Sequence, residues 1–249
     1  MQASRFEYRF RFALHALIFF LGFLSPWLYF GDKLNLEARS TWLILSSALA
    51  RTGWFTFTAA VWSLLVVGLL LTGIAACLRL WGAAYVGVGV VKPSTMYGDS
   101  LLADGPYRHT RNPLYLGTIV HTVGIALLMP PSGALLAVVL LWLLNIRLAL
   151  AEEAFLLDRF GQAYTAYCTR VPRFLPIPEP QVPSAGKQPQ WIQALLGEIY
   201  FVGAFLTLAV FGWQFNADPL RRGILICLGV SLVVRAFLPR ARQPDNVAA

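Results

Sequence analysis

Charge is what this sequence has least of. Charged residues make up 13% of its 249 positions, against roughly 25% in an ordinary soluble domain. So few charges cannot cover a water-soluble globule of this size. Apolar residues reach 57%, with a mean hydropathy of +0.62, which excludes a disordered chain. Cysteine is also scarce. Cys77, Cys168 and Cys227 are far apart and odd in number, so there is no disulfide scaffold and no close Cys/His spacing for zinc. Walker A, H-E-x-x-H and G-x-S-x-G sequences are missing. Gly87-Val-Gly89 lacks the third glycine and the strand–helix setting of a dinucleotide fingerprint. No repeat of 20 to 50 residues occurs, and no strict G-x-x-x-G pair. These absences leave an integral membrane protein.

Its apolar runs set the architecture. A crossing helix needs about 20 mostly apolar residues. Residues 12–30 supply one run, with His15 its only ionisable group. Its length, and the lack of a small-x-small site in residues 22–31, make it a signal anchor rather than a cleaved peptide. Residues 54–78 carry no charge at all. The run 112–146 is broken by Pro130-Pro131-Ser132-Gly133 and reads as two spans joined by a tight turn. Residues 199–217 and 223–238 supply two more, with Arg235 placed to snorkel. The expected fold is an all-α, polytopic bundle of about six spans. Residues 40–50 are too short to cross and read as an interfacial or half-helix. Residues 80–91 extend the second span before it unravels.

The net charge of +8 invites a nucleic-acid reading, but its placement argues against one. Fifteen of the twenty Lys and Arg fall in alternate compartments: before the first span, between the second and third, after the fourth, and at the end. Lys33, Arg39, Arg51, Arg221 and Arg222 make up the other side. This bias predicts cytoplasmic termini, in a bacterial inner membrane or an endoplasmic reticulum.

Polar chemistry gathers beside the third and fourth spans. In the first stretch, Asp104-Gly105-Pro106 is turn chemistry. Asn112-Pro113 reads as an N-cap followed by proline at the first helical position. Arg108 and Arg111 stand just before that helix start, an arrangement suited to a carboxylate or phosphate. Tyr107 and Tyr115 add faces that can receive a cation. The second stretch holds Arg147, Glu152, Glu153, Tyr164 and Tyr167 on and after an unbroken helical run, residues 134–160. Adjacent glutamates point about 100° apart on a helix, so one of them is expected to face the bundle. The plainer reading of both stretches is a juxtamembrane loop and a helix leaving the membrane. His121 and His15 read as hydrogen-bonded between helices, and Glu198 as a partner for a basic interfacial residue.

The residues Gly105-Pro-Tyr107-(x3)-Arg111-Asn-Pro113-x-Tyr115-x-Gly117 resemble a signature of the isoprenylcysteine carboxyl methyltransferases and their phospholipid methyltransferase relatives. So do Glu152-Glu153-(x6)-Phe160-Gly161-(x2)-Tyr164-(x2)-Tyr167-(x3)-Val171-Pro172. The likeness covers residues 92–176, which divides the chain into an N-terminal membrane region (1–91), this core, and a C-terminal pair of helices (177–249). The resemblance implies methyl transfer from S-adenosylmethionine to a lipid-like or small apolar acceptor at the cytoplasmic face, with no metal. It implies cofactor contacts from Asp99, Ser100, Leu101, Leu102, Tyr107, Asn112, Pro113, Leu114, Tyr115 and Glu152. Arg111, Glu152 and Glu153 stand as catalytic candidates, and Glu152, Glu153 and His109 as the nearby bases. The chain departs from the family where Asn112 replaces the usual histidine. Where prenylcysteine enzymes carry an arginine for the substrate carboxylate it has Leu148, and neighbouring Arg147 is the substrate-binding candidate. The rivals are an NADPH-dependent membrane reductase of the sterol-reductase type and a non-catalytic membrane scaffold.

Overall fold

The computed structural model describes residues 2–25, 40–86 and 104–237. Ten α-helices and two short 3-10 turns account for most of these residues, and no strand occurs among them. The expected contacts at Asp99, Ser100, Leu101 and Leu102 lie outside the described residues, as do residues 26–30 and 87–91.

Helices α1 (Arg5–Arg9) and α2 (Arg11–Leu24) open the chain. A capping box starts α1: Ser4 Oγ accepts from the Glu7 amide, and the Glu7 carboxylate accepts from the Ser4 amide at 2.6 Å. Helix α3 (Thr41–Arg51) is the short element expected over residues 40–50. Its first amides, from Thr41 and Trp42, donate to the carbonyls of Met129 and Leu127 at 2.8 Å each. The orphan donors of one helix start thus meet the orphan acceptors of another helix end.

Helix α4 (Phe57–Val86) runs 30 residues, through and beyond the expected second span. Helices α5 (Pro113–Ala126) and α6 (Pro131–Phe160) are the two halves of the broken run, and both begin on a proline. Proline suits that position because its missing N–H would have no partner there. Helix α7 (Gln162–Arg170) follows a glycine turn. Helices α8 (Trp191–Gly197) and α9 (Ile199–Phe211) meet at 73°, with Glu198 at the break. Helix α10 (Ala217–Phe237) ends the described chain.

Two described helices, α4 and α6, are long and apolar enough to cross a membrane, and the bent pair α8–α9 would make a third. Helices α2 and α5 have 14 residues each, about 21 Å, short of the expected full spans. Proline at 113 and the turn before Pro130 set both limits of α5.

The core lies where α2, α4, α5, α6 and α9 pack, around Ile125, Met129, Leu141, Ala204 and Leu208. Helices α2 and α6 approach closely at Gly22 and Gly133, where a Cβ on Gly133 would run into the Gly22 carbonyl. A buried ion pair ties α4 to the α8–α9 break. Arg79 reaches both Glu198 carboxylate oxygens at 2.6 and 2.7 Å, and also the Leu114 carbonyl and Thr118 Oγ1. Glu198 therefore finds the basic partner expected for it, inside the bundle.

Candidate functional site

Residues 104–112 and 172–187 run alongside each other as a strap over one end of the bundle. The Arg111 amide donates to the Pro172 carbonyl, Ile177 to His109, and Gln181 to Arg108. Arg108 Nε donates to the Val182 carbonyl at 2.8 Å. Asp104 gathers the Ser184 hydroxyl and the amides of Ala185, Gly186 and Lys187 on its carboxylate. Burial pushes its carboxyl up, but these four donors outweigh that and hold it below the usual value. Gly105 permits the sharp turn that follows. Its φ is +54°, and a Cβ there would strike the Tyr85 ring.

Beneath the strap lies a cavity of about 380 Å³, within the roughly 300–1,000 Å³ of small-molecule sites. Arg11 and His15 of α2 line it, with Arg79 of α4, Tyr115 and Thr118 of α5, and Asn145, Leu148, Glu152 and Glu153 of α6. Tyr107, Arg111 and Lys187 line the strap end, and Tyr200, Phe201, Leu228 and Ser231 the far end.

The polar end is built around the two glutamates. Glu153 is buried and engaged on several sides: Asn112 Nδ2 at 2.7 Å, Arg173 Nη2 at 3.0 Å, and Arg111 Nε at 3.6 Å. Glu152 takes the Tyr115 hydroxyl at 2.9 Å and is half-buried because it faces the cavity. Both glutamates therefore line the site, where one was expected. Position 152 points into the opening, and position 153 toward the strap beside it.

Arg111 is held by Glu153, yet its Nε is buried without a hydrogen-bond partner. An orphan donor on a charged group is costly unless a ligand meets it. Asn112 does not cap α5 with its side chain. A buried carboxylate offers its amide a charge-assisted bond instead, together with the Arg173 carbonyl. The expected cap is thus replaced by a bridge from α5 to α6 and the strap.

Tyr107 is fixed through its carbonyl, which accepts from the Tyr167 hydroxyl at 2.7 Å. Burial, with the Glu152 charge behind it, pushes the Tyr107 phenol well above its ordinary value, so it stays neutral. Pro113 and Leu114 line the wall beside it.

Two expected residues stand elsewhere. Arg147 is bidentate on Glu7 at 2.9 Å and is not among the cavity-lining residues. His109 donates from Nδ1 to the Ile177 carbonyl at 2.8 Å, packs at a tilt against Trp81, and also lies outside the lining. His121 is hydrogen-bonded between helices, to Tyr200 of α9 at 3.2 Å, as the sequence suggests.

Sequence reasoning assigned no site role to Arg11, His15, Arg79, Asn145, Tyr200 or Lys187. A signal existed for some of them. Arg11 and His15 are one turn apart on an apolar helix, and Asn145, Leu148 and Glu152 share a face by the 3-4 spacing. Nothing in the chain before Lys187 announces that it would be drawn to the cavity.

The phospholipid methyltransferase family matches residues 62–163, which takes in most of α4, the strap's first half, α5 and α6. Protein-S-isoprenylcysteine O-methyltransferase of Schizosaccharomyces pombe is 32% identical over 78 residues, 31% of this chain. The chain spans about a third (33%) of that relative's length. No solved structure matches the chain.

Proposed function

We propose that this protein transfers a methyl group from S-adenosylmethionine to a lipid-like or small apolar acceptor. It does so at the cytoplasmic face of a membrane that it crosses about six times, with both termini cytoplasmic. The observation that carries this reading is the grouping of Arg111, Glu152 and Tyr115 on one cavity wall, within the family-matched segment.

The residues present fit the cofactor. The unpartnered Arg111 Nε is a donor for its carboxylate. Glu152, with one oxygen on Tyr115, offers the other to an ammonium or to ribose hydroxyls. The neutral rings of Tyr107 and Tyr115 present faces to a sulfonium. Asp99, Ser100, Leu101 and Leu102 complete the contacts that the family resemblance implies. When bound, the cofactor supplies an electrophilic methyl for in-line displacement. The chain's own task is alignment and exclusion of water. Glu153 acts as a positioning residue, since its oxygens hold Asn112, Arg111 and Arg173 in place. The strap closes the polar end. The bundle end, with Phe201, Leu228 and Leu232, suits an apolar acceptor.

Isothermal calorimetry in detergent tests this. The wild type is expected to bind S-adenosylmethionine and S-adenosylhomocysteine. Glu152→Gln and Tyr107→Ala are expected to weaken both, Glu152→Gln by about 10- to 100-fold, the loss of one charge-assisted hydrogen bond. Unchanged affinity in both variants removes the assigned pocket. Binding of NADPH in place of either ligand points to a reductase.

A further inference from the structure

We propose that Tyr200 and Ser231 form a specificity site for the methyl acceptor, a pair of neutral hydroxyls that hold an ester or amide carbonyl at the head of its apolar chain. This rests on the methyl-transfer reading above and names a group that the acceptor carries.

Ser231 of α10 is the anomaly that points to it. A buried serine or threonine inside a helix commonly donates to the carbonyl one turn earlier. Ser46 does so to Trp42, Thr72 to Gly68, Thr118 to Leu114 and Thr122 to Thr118. Ser231 is as buried, only 3% exposed, yet its hydroxyl has no hydrogen-bond partner among the described residues. It lines the cavity instead. A hydroxyl buried without a partner weakens a fold unless a ligand or solvent meets it.

Tyr200 of α9 stands level with it. The two helices pack antiparallel, with Gly203 against Cys227 and Gly223 against Thr207. Tyr200 is three residues back from Gly203, and Ser231 four on from Cys227, about one turn in each case. Both line the same cavity. The Tyr200 hydroxyl meets His121 Nε2 of α5 at 3.2 Å. His121 is fully buried, and its Nδ1 has no partner. An orphaned buried N–H is rarer than an orphaned acceptor, so the ring's hydrogen is assigned to Nε2, which donates to the phenol oxygen. The Tyr200 O–H is then left to donate into the cavity. His121 acts as a positioning residue, its ring set by edge contacts with Phe19 and Phe201.

Two neutral donors suit one oxygen that accepts twice. A carbonyl oxygen has two lone pairs and costs far less to desolvate than an ion. Phe201, Leu228 and Leu232 surround the pair with apolar surface for the chain attached to such a group. Neither Tyr200 nor Ser231 falls in the family-matched residues 62–163. The pair therefore belongs to the part of the wall where this chain can select its own acceptor.

The test compares 1-oleoylglycerol with 1-O-oleylglycerol, which has the same chain and head but an ether in place of the ester carbonyl. Binding to the full chain in detergent is read by native mass spectrometry. The wild type is expected to favour the ester about 10-fold, the scale of two neutral hydrogen bonds. The double variant Tyr200→Phe/Ser231→Ala is expected to bind both lipids alike, and to bind S-adenosylhomocysteine like wild type. With the ester carbonyl labelled in ¹³C, its infrared stretch is expected at lower frequency in the wild type than in the double variant. If the double variant no longer binds S-adenosylhomocysteine, the milder Tyr200→Phe takes its place and is expected to lose about 3-fold of the preference. A wild type that binds both lipids equally, or neither, overturns the proposal. So does a variant that keeps the full preference, or a carbonyl stretch that the substitutions leave unmoved. Failure of the wild type to bind S-adenosylhomocysteine overturns instead the cofactor reading beneath it, and the ester preference is read independently of that result.

Discussion

At the scale of single residues, the buried charges divide into those held in place and those left to receive something. Arg79 and Glu198 saturate each other, and the pair is a fixed joint between helices. Arg147 and Glu7 do the same nearer the surface, where α1 folds onto α6. The hydrogen bond from Arg147 holds the Glu7 carboxyl down to about 2, against 4.5 unpaired, with help from the Ser4 amide. A depressed carboxyl stabilises the fold fully above its unfolded value and loses that contribution as pH falls toward the folded one. The stability gap between wild type and Glu7→Gln is therefore expected to be constant at neutral pH and to close between about 4.5 and 2. Thermal melting across that range measures it, and a gap that persists at the acid end would contradict the pairing. Arg111 behaves differently, because its Nε has a charge nearby but no hydrogen bond.

At the scale of elements, close helix approach positions the site. Helix α2 brings Arg11 and His15 to the cavity because Gly22 and Gly133 let its backbone touch α6. A side chain on Gly133 would meet the Gly22 backbone, which cannot yield. One on Gly22 would first meet the flexible end of Met129 at 2.8 Å. Gly133→Val is expected to cost at least the roughly 1–3 kcal/mol typical of overpacking, and Gly22→Ala less. Detergent-solubilised thermal unfolding of both variants gives the order, and the reverse order would mean that α2 does not dock this way. The absence of a G-x-x-x-G pair did not reveal this contact, because each helix contributes a single glycine. Helix limits were more legible. Pro113 and Pro131 start helices where the sequence placed breaks, and α3 appears over the segment judged too short to cross. The bend at Glu198 was hard to read, since residues 191–214 contain no proline and only Gly197 marks the break, where Glu198 turns to Arg79 of α4.

At the scale of the whole molecule, the proposed orientation can be tested at exposed positions. If the polar end is cytoplasmic, exposed positions 2 and 188 lie on that side, and position 52, between α3 and α4, lies on the other. Single cysteines at these positions, in a chain with Cys77, Cys168 and Cys227 replaced, are expected to react with an impermeant maleimide accordingly. Positions 2 and 188 react only after the cytoplasmic side is opened, and position 52 reacts in intact cells. Labelling of all three from one side would overturn the orientation.

The sequence by itself determined that the chain is helical with apolar runs suited to a membrane, where the breaks before Pro113 and Pro131 fall, and that polar residues gather at 99–117 and 147–173. Composition, proline placement and motif spacing are local properties, readable one segment at a time. Tertiary structure decided what each polar side chain faces: that Arg147 turns to Glu7, that Asn112 serves Glu153 rather than its own helix, and that His15 and Asn145 meet at the cavity wall. Those outcomes depend on which partner lies within hydrogen-bond reach once α2, α6 and the strap have packed, and residues up to 140 positions apart along the chain settle it.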